Sequence, residues 1–111
     1  MIDPLTIALI VRPGELLREL RASMYDLPVR ILLEQSEVRD WTAFLAKLDQ
    51  DPVDLLIMEL ALLNDPLGDA MRQIKATAGS PAVIILHNSP DSEAILRCVR
   101  AGADEFLYPP F

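Results

Sequence analysis

The 111 residues carry 17 acidic and 10 basic side chains, a net charge of −7, and 51% of them are hydrophobic. That length fits one domain with a small core of its own. The negative charge argues against a nucleic-acid surface and against an anionic membrane surface. One cysteine, Cys98, allows no internal disulfide, and the longest apolar run, broken by Glu59, is too short to span a bilayer. No basic region precedes Leu5–Val11, so the expectation is a cytoplasmic chain with no signal peptide and no membrane insertion.

In chain order, Thr6–Val11 reads as a buried strand, and Arg12-Pro13-Gly14 turns the chain. Glu15–Met24 places Leu16, Leu17, Leu20 and Met24 on one helical face, with Glu15 in the first turn where it suits the helix dipole. Asp26-Leu27-Pro28 ends that helix, and Val29–Glu34 is a short aliphatic strand whose alternation is less clear. Val38–Leu48 spaces Trp41, Phe44, Leu45 and Leu48 as a second amphipathic helix, which makes Trp41 a core residue.

Val53–Glu59 follows Pro52, and the loop Leu60–Pro66 follows it, with Asn64-Asp65-Pro66 as the turn. Its consecutive apolar residues fit a strand buried on both faces. A helix running on through Leu60–Leu63 uses the same letters, but the bounding prolines favour the short strand. Leu67–Thr77 is a third helix with Met71, Ile74 and Ala78 inward, and Gly79-Ser80-Pro81 breaks it. Ala82–Leu86 is a strand ending at His87. Ser89 then reads as an N-cap, Pro90 as the first helical residue, Asp91 as part of the first turn and Gly102 as the residue past the end of the helix. Glu105–Tyr108 is a fifth strand stopped by Pro109-Pro110.

Alternating strands and helices at this spacing predict an α/β, flavodoxin-like, doubly wound parallel sheet of order 2-1-3-4-5, one domain over 1–111. A fifth helix is missing from the pattern. One sheet face is therefore expected to present a contiguous apolar patch, with self-association as a two-fold dimer through the first helix, the fifth strand and that face. Phe106 and Tyr108 alternate with Leu107 and share one face, a candidate partner surface.

Sites in such sheets lie at the carboxyl ends of the strands. There the chain gathers Arg12-Pro13, Glu59, His87-Asn88 and Tyr108-Pro109. No glycine-rich phosphate cradle is present. One carboxylate and one imidazole do not make a metal site, and Cys98 inside a helix is a poor nucleophile, so no cofactor, no metal and no catalysis are expected. Arg12 and Glu59 end adjacent strands, and the guanidinium is expected to pair with the carboxylate near His87.

The chain resembles the receiver domains of two-component response regulators over nearly its whole length, and three stretches carry the resemblance. Val53-Asp54-Leu55-Leu56-Ile57-Met58-Glu59-Leu60 is similar to the strand that ends in the phosphoacceptor aspartate. Pro81-Ala82-Val83-Ile84-Ile85-Leu86-His87 is similar to the strand that ends in Thr or Ser. Ala101–Phe111 resembles the segment that closes on Lys-Pro-Phe, and it is the most specific of the three. The resemblance implies two acids where Arg12 and Pro13 stand, Asp at Glu59, Thr or Ser at His87 and Lys at Pro109.

The resemblance therefore implies a degenerate phosphoacceptor pocket made of Arg12, Pro13, Glu59, His87 and Pro109. Mg²⁺ prefers near-octahedral oxygen ligation, and Arg12 puts a permanent cation where the metal would sit. Glu59 is one methylene too long. Pro109 has no charge and no N–H with which to bind phosphate. Degenerate receivers of this spelling resemble the N-terminal domains of the CpaE and TadZ pilus-assembly proteins, which precede a MinD-like ATPase. The implied function is a non-phosphorylated protein-interaction module whose partners are other proteins, with that ATPase as a C-terminal neighbour. The rival is a receiver that still accepts phosphate, on Glu59 or Asp65. A small-ligand pocket at the strand ends is a third reading, with no specific residues to support it.

Overall fold

A computed structural model describes residues 3–111; residues 1 and 2 of the expected 1–111 domain lie outside the described residues. The chain runs β1 (Leu5–Ile10), α1 (Glu15–Met24), β2 (Val29–Gln35), α2 (Trp41–Gln50), β3 (Leu55–Glu59), a 3-10 turn (Leu60–Leu62), α3 (Leu67–Lys75), β4 (Ala82–Leu86), α4 (Ser92–Ala101) and β5 (Glu105–Leu107). The strands form one parallel sheet in the order β2-β1-β3-β4-β5, the expected doubly wound arrangement. Parallel neighbours need a crossover, and here the helices supply it.

Successive side chains of a strand point to opposite faces, so the central strands feed two cores. On one face Ala8, Ile10, Leu56, Met58, Val83 and Ile85 pack with Phe44 and Leu48 of α2, Met71 and Ile74 of α3 and Cys98 of α4. On the other, Ile7, Leu9, Ile57 and Leu86 meet Leu16, Leu17, Leu20 and Met24 of α1. Burial raises the pKa of the Cys98 thiol, which keeps it protonated and unreactive.

The weak alternation of β2 has a structural cause. Ile7 pairs with Ile31 but Ala8 pairs with Leu33, so Leu32 is an extra residue, a β-bulge in a parallel pair. The bulge reverses the strand's parity. Val29 and Ile31 face the α1 side, whereas Leu33 faces the α2–α3 side. Glu34 is turned back toward α1, where it pairs with Arg21.

Several local readings are corrected. The second helix begins at Trp41, not Val38, because Asp40 is the cap: its carboxylate accepts the Ala43 N–H at 3.1 Å. Asp91, not Ser89, caps α4, accepting from the N–H groups of Glu93 and Ala94 at 3.0 and 3.5 Å. Ser89 is spent instead on a tight turn about Pro90, its carbonyl accepting the Asp91 N–H at 3.0 Å. Thr77, not Ala78, is the inward residue after α3, and its hydroxyl donates to the Ile74 carbonyl at 2.6 Å. The Ala78 N–H faces Asp49 of α2, 2.7 Å away. A Cβ on Gly79 would meet the Pro52 Cβ at 2.8 Å, so only glycine lets the turn before β4 lie against the entry to β3.

The sheet face on the α1 side is not an open apolar surface. Ile57 and Leu86 are 3% and 0% exposed, and Leu55, Ile84 and Leu107 are half-buried. Pro110 and Phe111 come back beside Glu19, Ala22 and Ser23 of α1. The expected patch therefore shrinks to the margins of that face, because Leu16, Leu17, Leu20 and Met24 of α1 pack on its centre.

At the amino edge, Asp54 and Thr6 bond reciprocally. The Asp54 carboxylate accepts the Thr6 N–H at 2.9 Å and the Thr6 hydroxyl at 3.0 Å, and the Asp54 N–H lies 3.0 Å from that hydroxyl. These neutral donors, the Thr6 backbone N–H first, hold the Asp54 carboxyl below its ordinary value.

Candidate functional site

The carboxyl edge is built from the residues that end β1, β3 and β4. Ile10 pairs with Met58 and Glu59 with Leu86, so Arg12, Glu59 and His87 leave the sheet side by side. Arg12 and Glu59 form the expected pair. Glu59 Oε1 accepts the Arg12 backbone N–H at 3.0 Å and Nε at 3.1 Å, while Oε2 accepts Nε at 3.1 Å and Nη2 at 2.5 Å. A carboxylate has about four acceptor sites. Here one residue takes up both oxygens, and the planar guanidinium fork makes that geometry available where a lysine would not.

The pair is asymmetric. The Glu59 side chain is 9% exposed and that of Arg12 is 56% exposed. Burial pushes the Glu59 carboxyl up, but the hydrogen bonds from Arg12, its charge and that of His87 outweigh burial and hold Glu59 below its ordinary 4.5. The hydrogen bond and charge of Glu59 in turn raise the Arg12 guanidinium. The site therefore holds an ionised, nearly buried carboxylate neutralised from within the chain.

His87 stands beside this pair. Its backbone N–H donates to the Leu107 carbonyl at 3.0 Å, and its ring lies 6.0 Å from that of Phe106, tilted by 60°. Pro13 is exposed and Pro109 half-buried, and neither brings a hydrogen-bonding side chain to the edge. Among the described residues no three His, Cys, Asp or Glu side chains converge as a metal-binding group. A cleft of about 420 Å³ lined by Ser36, Glu37, Arg39, Asp40 and Lys47 lies beside the end of β2 and does not include Glu59.

Phe106 and Tyr108 share a face as expected, with ring centroids 6.3 Å apart. Phe106 packs against the larger core, and Tyr108 is 40% exposed. The sequence reading missed two further apolar residues, Leu96 and Val99 of α4, which are 51% and 59% exposed. Three residues apart, they share a flank of the helix. Arg97 pairs with Asp65, in the loop before α3, at 3.1 Å, and Val99, two residues on, lies on the other flank of the helix. The signal was present, since an amphipathic helix with Ile95, Leu96 and Val99 carries more apolar residues than one buried stripe uses. Asp65, the alternative phosphate acceptor, is itself held by Arg97.

A comparison with protein-family models gives no match, and neither does a comparison with curated protein sequences. Solved structures do match. The BeF3-activated receiver domain of DrrB is 22% identical, with a TM-score of 0.67 over 97% of this chain and 86% of that one. The CheY-like protein TadZ from Pseudomonas aeruginosa PAO1 is 17% identical, with a TM-score of 0.69 over 96% and 88%. A response regulator from Thermotoga maritima is 17% identical, with a TM-score of 0.73 over 99% and 87%. With five parallel strands in the order 2-1-3-4-5 and an acidic residue closing the central one, the chain has the fold of the response-regulator receiver domains.

Proposed function

We propose that the chain is a receiver-like interaction module that does not take up phosphate. The observation that carries this reading is the saturation of Glu59 by Arg12. A divalent cation needs free carboxylate oxygens and repels a fixed guanidinium. A phosphoryl acceptor needs a carboxylate oxygen free to attack, with cations around the transferred group. Both oxygens of Glu59 are already committed, and Arg12, Pro13 and Pro109 add neither an acid nor a lysine to the edge.

Interaction then falls to α4 and β5, where Leu96, Val99 and Tyr108 are exposed and Tyr108 lies beside Phe106. A homodimer through this flank is the simplest association. The likeness to TadZ supports placing the module in a longer cytoplasmic protein of the CpaE/TadZ type, where it would position a following ATPase domain.

The test is intact-mass measurement after incubation with acetyl phosphate and Mg²⁺. The expected result is an unmodified mass. A stable adduct on Glu59 or Asp65 would return the chain to the phosphate-accepting receivers.

A further inference from the structure

We infer that the Arg12–Glu59 pair is a permanent clamp on the carboxyl edge, fixing the α4–β5 flank in one state that neither divalent cation nor phosphoryl donor alters. This rests on the interaction-module reading and adds how the module is regulated: its presented surface is set by the fold and not by an input at the pocket.

The geometry connects the two regions without a gap. Arg12 holds Glu59 by its backbone N–H and by two side-chain nitrogens, so β1 and β3 are joined beyond their last ladder bonds. Glu59 is paired in register with Leu86, and the next residue, His87, bonds through its N–H to Leu107 of β5. The His87 ring meets Phe106, and Phe106 meets Tyr108 at the exposed flank. Glu59 also opens the 3-10 turn, where the Leu63 N–H donates to Leu60 at 3.1 Å.

Removing the guanidinium leaves a nearly buried carboxylate without its hydrogen-bonding partner. The carboxylate then has to find another donor or take up a proton, and either change disturbs the end of β3 against β4, where the His87 ring faces Phe106. Packed groups with discrete arrangements transmit such a change.

The experiment is amide exchange and aromatic NMR spectra of the whole chain, as wild type and as R12Q, R12K and the double variant R12Q/E59Q. In wild type, millimolar Mg²⁺ with acetyl phosphate should leave the Phe106 and Tyr108 ring signals unmoved. In R12Q those signals should shift, and protection of the Leu63 and His87 amides should fall by about tenfold or more. The Asp54 amide at the other edge should keep its protection. R12K keeps the charge but loses the fork, so it should fall between.

The double variant separates a clamp from a mere unpaired charge. Without a clamp the flank should stay altered, although no charge is left stranded. A wild-type spectrum for R12Q or for R12Q/E59Q overturns the inference, and if R12Q does not fold, R12K and the double variant decide it. A phospho-adduct on Asp65 would defeat the proposed function alone, and one on Glu59 would defeat the clamp as well. Silent variants would defeat the clamp and leave the mass result standing.

Discussion

β1 and β3 are tied together at both ends, and the two ties use different chemistry. At the amino edge Asp54 is held by the backbone and hydroxyl of Thr6, all neutral donors. At the carboxyl edge Glu59 is held by a guanidinium and the backbone N–H of the same residue. Neutral donors leave a carboxylate its charge, so Asp54 staples the strands and remains an anion facing water. A guanidinium cancels the charge, so Glu59 is both stapled and neutralised. In this fold the carboxyl edge is where chemistry is placed. Here Arg12 neutralises the carboxylate at that edge, and the ordinary edge is the one left charged.

The largest effect comes from neither edge but from the layer between them. Leu56 is 0% exposed at the centre of β3. Leu56→Ala should cost about 2–5 kcal/mol in urea unfolding, because it opens a cavity under α2 and α3. An equal or larger loss from an edge variant would mean that the ties, not the core, hold β1 to β3.

Next in size is Glu59→Ala, which removes nearly buried, charge-assisted bonds and should cost about 1–3 kcal/mol in the same measurement. Asp54→Ala should cost less, since its partners and its own side chain reach water. If the order reverses, the contrast between a buried and an exposed tie fails.

The pH dependence sharpens the comparison further. Both carboxyls are held below their ordinary values of 3.8 for Asp54 and 4.5 for Glu59. A depressed folded-state pKa means that the unfolded chain binds the proton more readily. The contribution is therefore fully present above the ordinary value and is lost as pH falls through the folded one. The Tm of wild type should drop below about pH 4.5, and E59Q and D54N should each flatten part of that drop. Asp104, lowered by the Lys75 ammonium and then by the Val83 N–H, keeps a residual slope in both variants. A drop unchanged in E59Q would show that the pair adds nothing to the folded state.

The smallest stability effect belongs to the exposed flank. Leu96→Ser with Val99→Ser should change unfolding free energy by no more than about 0.5 kcal/mol each, as surface substitutions do. The same change should shift any self-association seen by sedimentation toward monomer. Association that survives it places the interface elsewhere, for example beside Phe111.

The strand order and the helical faces were legible in the sequence because burial on both sheet faces writes long aliphatic runs, as in Val53–Glu59. The Arg12–Glu59 pair was legible for the same reason: two residues that end adjacent parallel strands must leave the sheet together. What escaped was set by single hydrogen bonds or by the path of the chain. Ser89 and Asp91 are both good caps, and the Glu93 and Ala94 N–H groups that reach the Asp91 carboxylate decide between them. The bulge at Leu32 keeps aliphatic letters on either side and changes only which face they meet. The open sheet face was expected from a missing helix, but nothing in the letters of Pro110 and Phe111 shows that they turn back toward α1.

The Arg12 Nε–H reports the contact with Glu59 most directly, in an ¹H–¹⁵N spectrum tuned to arginine side chains. The expected result is a displaced, slowly exchanging Nε–H signal that disappears in E59Q and is unmoved by millimolar Mg²⁺. A signal at the position of free arginine in wild type, or one that Mg²⁺ releases, would show an open pocket and contradict the account.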